Sequence, residues 1–217
     1  MRRTKRLPLE ELAPYLWQES PSAPGVIPPL LDWRLVFGND HPVELEVGFG
    51  KGLFLLNAAI RSPDVNFFGI EIMRKYQLFT ATRMAVRKLT NVRLACADAR
   101  QFLQHRIVAE SLQAIHVYFP DPWWKKRHHK RRVFTAEFVE SCTRALKVGG
   151  HFHLATDVPD YFAVMQDLCA NQAGLLVVPG APVAAGQEYL TNFERKAILV
   201  GQPVQRTCYR KIAHPPH

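Results

Sequence analysis

Residues 43–52 read VELEVGFGKG, an apolar run of strand length that ends in glycines at alternate positions, Gly48, Gly50 and Gly52, with Glu46 two places before the first. Glycine lets the chain turn tightly and lets a ligand come close to the backbone, and a helix that begins there offers unpaired N–H groups. A glycine triplet alone is a weak signal, and its surroundings strengthen it. Glu71 closes the next apolar run, 21 residues after Gly50, where nucleotide-binding α/β folds place a carboxylate that accepts from ribose hydroxyls. Asp98 closes the third run, in CADA, where it could accept from an adenine amino group. Each acid taken singly is equally well explained as a helix N-cap or a solvated loop carboxylate. Three in succession at the carboxyl ends of strands point to a nucleoside site, because that edge is where open α/β sheets bind ligands.

Outward from this stretch, strand-length apolar runs alternate with helix-length segments, the arrangement of a mostly parallel sheet. Strands are expected at Val43–Val47, Asn66–Ile72, Val92–Ala97, Ala114–Phe119, His151–Thr156 and Leu175–Pro179. Helices are expected at Arg74–Leu89, with Leu78, Ala81, Ala85 and Leu89 as the buried stripe, at Ala136–Lys147 and at Asp160–Asn171. In Ala136–Lys147 the inward residues are Phe138, Cys142, Ala145 and Leu146, with Thr135 as N-cap and Gly149 as the stop. Lys196–Val200 and Thr207–Lys211 read as two strands around GQPVQ, an antiparallel hairpin that ends the sheet. Upstream, residues 1–33 read as an arm: a short helix over Pro8–Trp17, then SPSAPGVIPPLLDW, whose prolines exclude regular helix. Residues 34–217 form the folded domain.

The 217 residues are 47% hydrophobic and 22% charged, enough apolar surface for a packed core. No stretch is long and apolar enough for a membrane span, and Glu10 and Glu11 interrupt the N-terminus before a secretory apolar region can form, so a cytoplasmic protein is expected. Cys96, Cys142, Cys169 and Cys208 lie 46, 27 and 39 residues apart, a spacing that fits buried thiols better than disulfides or a zinc ribbon. His151 and His153 share a strand face but lack a third ligand, and no metal is expected; His105 and His116 read as packing or surface residues.

The net charge is +9, and two short runs carry more positive charge than that whole excess. One is Arg2, Arg3, Lys5 and Arg6, which at a terminus reads as a solvated tail. The other follows the fourth expected strand in FPDPWWKKRHHKRR, residues 119–132: Asp121 at the strand mouth, then Trp123 and Trp124, then Lys125, Lys126, Arg127, Lys130, Arg131 and Arg132. Aromatic faces stack bases while clustered cations hold phosphates, so this run reads as a footprint for RNA.

The pattern E-x-G-x-G-x-G resembles motif I of class I S-adenosylmethionine-dependent methyltransferases, and FPDPW joined to KKRHHKRR resembles the bacterial tRNA (guanine-N7)-methyltransferase family. The likeness continues in ATDVPDY at 155–161 and TNFERK at 191–196; Trp124 departs from it, standing where many members carry Pro. The resemblance implies a Rossmann-like, mostly parallel seven-stranded sheet that ends in an antiparallel hairpin, with helices on both faces. It implies S-adenosylmethionine as cofactor, tRNA as partner, and methylation of guanine N7 in the variable loop at position 46. It further implies that Glu46, Gly48, Gly50, Gly52, Glu71, Asp98 and Asp121 line the cofactor, that Asp121 is also catalytic, and that Lys125, Asp157, Thr191, Asn192, Phe193 and Glu194 contact the substrate. A monomer or homodimer is expected.

Three rivals remain: adenine-N6 methylation, which an Asp-Pro-Trp also fits; an NAD-dependent oxidoreductase; and a non-catalytic RNA-binding protein. The second leaves the basic run unexplained, and the third leaves the acidic strand ends without a role.

Overall fold

The computed structural model describes residues 6–18, 29–123, 126–179 and 191–213. The chain divides into two compact units, Met1–Val108 and Ala109–His217. The first contains, in order, α1 (Leu9–Leu12), α2 (Trp33–Phe37), β1 (Val43–Val47), α3 (Leu53–Arg61), β2 (Asn66–Glu71), α4 (Arg74–Val86), β3 (Val92–Cys96) and α5 (Ala99–Arg106). The second contains β4 (Leu112–Tyr118), α6 (Ala136–Ala145), β5 (Leu146–Thr156), α7 (Pro159–Ala170), β6 (Leu175–Val177), α8 (Asn192–Leu199) and β7 (Gln205–Lys211). The strands form one seven-stranded sheet in the order β3-β2-β1-β4-β5-β7-β6. Pairing is parallel for β1 with β2, β2 with β3 and β4 with β5, and antiparallel for β7 with both β5 and β6. This is the expected fold class.

In the first unit every residue of β2 is buried, as an interior parallel strand requires. Phe68 of β2 meets Trp33 at 5.2 Å between ring centroids and Phe102 of α5 at 5.6 Å, and Trp17 lies 5.2 Å from Phe102. The described parts of residues 1–33 pack onto this cluster: Trp17 N–H donates to Leu94 O (3.0 Å), and Leu31 N–H to Arg106 O (2.8 Å). Asn91, buried just before β3, is the polar tie of the unit, its Nδ2 donating to the carbonyls of Ala59 (3.2 Å), Ser62 (3.2 Å) and Val65 (2.9 Å). We expect Asn91→Ala to lower unfolding free energy by about 1–3 kcal/mol, because it leaves buried acceptors without donors. The midpoint of urea unfolding measures this, and an unchanged midpoint would show that solvent replaces the amide.

Several local expectations are corrected. Lys196–Val200 is not a strand, because α8 runs through it to Leu199. Thr191 caps that helix, its side chain accepting from Glu194 N–H at 3.0 Å, and β7 finds its antiparallel partners in β5 and β6 instead. Helix α6 starts after the expected cap, Thr135, but ends at Ala145; Gly149 lies inside β5 rather than stopping the helix. The reason is sheet pairing: Leu146 already registers with Leu112 of β4, and a Cβ at Gly150 would sit 2.9 Å from the carbonyls of Gln113 and Lys147.

Helix α4 ends at Val86, and its buried side includes Gln77, Thr80 and Met84 as well as Leu78 and Ala81, while Ala85 and Leu89 are half-buried. Gln77 is affordable inside because its amide donates to Leu94 O at 2.6 Å. The expected helix over Pro8–Trp17 is only α1 followed by a 3-10 turn at Ala13–Tyr15. The proline-rich stretch lies largely outside the described residues. Among the thiols Cys142, Cys169 and Cys208 are buried, whereas Cys96 at the end of β3 is exposed. No helix of the described residues is long and apolar enough to cross a membrane.

Candidate active site

The glycine loop leaves β1 with all three glycines in the left-handed region, φ +73° at Gly48, +49° at Gly50 and +63° at Gly52. They serve different ends. A Cβ at Gly48 or Gly50 would meet nothing within 4 Å, so there the residue supplies backbone angle and an open approach to the chain. At Gly52 a Cβ would lie 2.2 Å from Thr80 Cγ2, so there it supplies room for α4.

The loop is held from two sides. Gly50 N–H donates to Glu71 Oε2 (3.0 Å), whose other oxygen accepts from Met73 N–H (2.9 Å), and Gly48 N–H donates to Ile70 O (2.8 Å). From α4, Thr80 Oγ1 donates to Gly50 O (3.2 Å) and the Arg83 guanidinium donates to Lys51 O. Reading the sequence did not single out Thr80 or Arg83. Nothing in a threonine or arginine inside a helix marks it as a loop anchor before the helix is placed.

Glu46 is only 3% exposed, and its Oε2 has no hydrogen-bond donor among the described residues. Burial, and then the charge of Glu71, push its carboxyl well above the usual carboxylate range, against a hydrogen bond from Leu55 N–H. A buried acceptor left open beside an accessible backbone loop fits a ligand that brings its own donors, such as ribose hydroxyls or an ammonium group. Asp98 instead caps α5: it accepts from Arg100 N–H (2.9 Å) and pairs with the Arg100 guanidinium (2.7 Å), whose hydrogen bonds hold its carboxyl below the usual range. The N-cap role considered for it is thus the one its side chain plays here.

In the second unit, β4 ends at Tyr118 and the chain turns through Phe119 and Trp123, both non-glycine residues with positive φ, +52° and +44°. Between them Asp121 is exposed. Phe119 N–H donates to Ala155 O (2.7 Å), and the Phe119 ring lies 6.0 Å from the exposed Phe193 of α8, nearly parallel to it. Trp123 carries the Arg131 guanidinium at 5.0 Å and the edge of His128 at 5.7 Å. Arg132 donates from Nε to Pro122 O (2.7 Å) and lies 4.9 Å over the ring of Tyr161. Arg127 is exposed. Trp124 and Lys125 lie outside the described residues, as do the side chains of Lys126, Lys130 and Asn192.

Asp157 is half-buried just past β5, its carbonyl accepting from Gln202 Nε2 (3.0 Å). Thr191 spends its side chain on the α8 cap, and Glu194, buried, pairs with Arg206 of β7. Reading the sequence did not single out Arg206, since an arginine just ahead of the expected strand Thr207–Lys211 reads as solvated until its partner is known. His116 stacks on His153 at 4.9 Å, and His151 lies 5.8 Å beyond. Burial, reinforced by the other two rings, pushes His153 down to about 3, so the stack holds a neutral ring rather than an ion. Among the described residues no three His, Cys, Asp or Glu side chains converge as metal ligands.

A family model described as "Putative methyltransferase" matches residues 40–207. The chain is 43% identical over 197 residues to a tRNA (guanine-N(7)-)-methyltransferase of Rhodopirellula baltica, covering 87% of this chain and 73% of that protein. It is 40% identical over 190 residues to a protein of the same name from Vibrio cholerae serotype O1, covering 86% and 80%. Among solved structures it superposes on the aminoglycoside resistance methyltransferase NpmB1 with a TM-score of 0.55 over 79% of this chain and 87% of that one. Identity there is 20%, a likeness of fold alone.

Proposed function

This chain belongs to the tRNA (guanine-N7)-methyltransferase family, and from that premise we propose which of its residues do the work. Glu46, Glu71, Asp98 and the loop of Gly48, Gly50 and Gly52 hold S-adenosylmethionine, and Asp121 orients a guanine of the tRNA variable loop. The methyltransferase domain spans residues 34–217, with 1–33 as its arm. The cofactor fits the first unit: the open Glu46 Oε2 and the accessible backbone at Gly48 and Gly50 match a ligand rich in donors.

Bound S-adenosylmethionine would supply a methyl on a sulfonium: the in-plane lone pair of guanine N7 would form the new N–C bond as the S–C bond breaks and S-adenosylhomocysteine leaves, with no proton for the base to lose. Asp121 therefore needs to remove nothing. It accepts from the N1–H and N2–H₂ edge of the base, fixes the ring in place, and offsets the positive charge that grows on it. The observation that carries this role is the placement of Asp121: exposed at the mouth of β4, on a turn flanked by two non-glycine residues in the left-handed region. Such backbone strain persists only where the surrounding structure over-determines it, and it clusters at active sites.

Phe193 offers an exposed aromatic face for a base turned out of its stack, and Asp157, Thr191, Asn192 and Glu194 are the other residues assigned to the substrate. Arg127 and Arg131, with Lys125, Lys126 and Lys130, meet phosphates.

Transfer of labelled methyl from S-adenosylmethionine to unmodified tRNA, followed by nucleoside digestion, tests the reading. We expect 7-methylguanosine from the variable loop, lost when that guanine is replaced by adenine. Label on another base, or tRNA binding without transfer, would overturn it.

A further inference from the structure

Arg132 closes a run of cations that reads as a phosphate footprint, yet its geometry differs from that of an RNA contact. We propose that Arg132 is a positioning residue that clamps the peptide following Asp121, through Pro122 O and the Tyr161 ring, and that it does not bind phosphate. The inference rests on the proposed role of Asp121.

The turn that carries Asp121 has two non-glycine residues at positive φ, an arrangement seldom adopted and kept only by what surrounds it. On its strand side it is tied by Phe119 N–H to Ala155 O and by the stack of Phe119 on Phe193. On its far side, the group that reaches the residue next to Asp121 is Arg132, whose Nε donates to Pro122 O at 2.7 Å. Its guanidinium face lies 4.9 Å over Tyr161, a side chain only 2% exposed on α7 and therefore a fixed floor. Tyr161 in turn stands within electrostatic reach of Asp121. Arg132 thus spans from the buried helix to the turn with its Nε–H and one planar face engaged; only its Nη–H groups are left for a phosphate, and the salt dependence of KM tests whether they meet one. Lysine cannot replace it, having neither the Nε–H at that point nor a planar face to stack.

Steady-state methylation of tRNA by the full-length enzyme, at several salt concentrations, separates the two roles. The variants are Arg132→Lys and Arg132→Gln, with the exposed Arg127→Gln as the phosphate reference. Removing a phosphate contact flattens the dependence of log KM on log salt by about 0.7–0.9, and we expect this for Arg127→Gln. For both Arg132 variants we expect kcat to fall about ten- to a hundredfold, the range a slight misplacement of a reacting group produces. Their salt slope should match wild type, as should the Kd for S-adenosylhomocysteine. If the glutamine variant does not fold, the lysine variant decides.

Wild-type kcat in Arg132→Lys would overturn the proposal, since charge would then suffice. So would a flattened salt slope in either variant, with or without a fall in kcat. Failure of the proposed role of Asp121 looks different, because Asp121→Asn would then keep full turnover whatever the Arg132 variants do.

Discussion

We expect Asp121→Asn to lower kcat for tRNA methylation about a hundredfold or more while the protein stays folded. The substitution keeps size and one acceptor oxygen but removes the charge, so it isolates the electrostatic part of the role. Loss of one preorganised group aimed at charge developing in a transition state lowers kcat by about 10²–10³-fold. Stability should change by no more than about 0.5 kcal/mol, because the side chain is exposed. The comparison to make is kcat at saturating S-adenosylmethionine and tRNA, alongside the thermal midpoint. Full turnover by the asparagine variant would remove the charge from the mechanism and leave Asp121 as a hydrogen-bond acceptor only.

Gly52→Ala should be the most damaging single change in the glycine loop. Its φ of +63° and ψ of +37° lie in the left-handed region, which disfavours alanine by about 1–2 kcal/mol. The added methyl would sit 2.2 Å from Thr80 Cγ2 and 2.9 Å from Thr80 Oγ1, and forcing an extra methyl into packed space adds about 1–3 kcal/mol. Together these predict a loss of about 2–5 kcal/mol, and a cofactor affinity lowered with it, because Thr80 is also the donor to Gly50 O. Gly48→Ala and Gly50→Ala carry the backbone strain without the clash and should lose less. Adding Thr80→Ala to Gly52→Ala should restore part of the loss. Urea unfolding and calorimetric titration with S-adenosylhomocysteine read both effects. Equal damage at all three glycines would show that backbone angle, not the room for α4, decides.

The acidic strand ends, the glycine spacing and the basic run after Asp121 could be read along the chain, since each depends on residue type at short separation. So could the cap at Thr135, whose hydroxyl oxygen accepts from Phe138 N–H at 3.3 Å. At Lys196–Val200 a helix replaces the expected strand for a reason of the same local kind. Thr191 and Glu194 make a helix start, which outweighs an apolar run of ambiguous length. Gly149 failed for a nonlocal one, because sheet pairing of Leu146 with Leu112 claimed the residues that might have prolonged α6.

What the sequence by itself determined is the order of strands and helices as far as α7, the class of fold, and which residue types stand at the strand ends. All of these follow from periodicity and from the few residues that tolerate a turn. What only the tertiary structure decided is how those residues are used. Arg132 reaches Pro122 and Tyr161, Glu194 finds Arg206, Asp98 caps α5 and pairs with Arg100, and Thr80 fills the space that Gly52 leaves. A side chain's partner is set by distances between segments far apart in the chain, and those distances exist only once the core has packed.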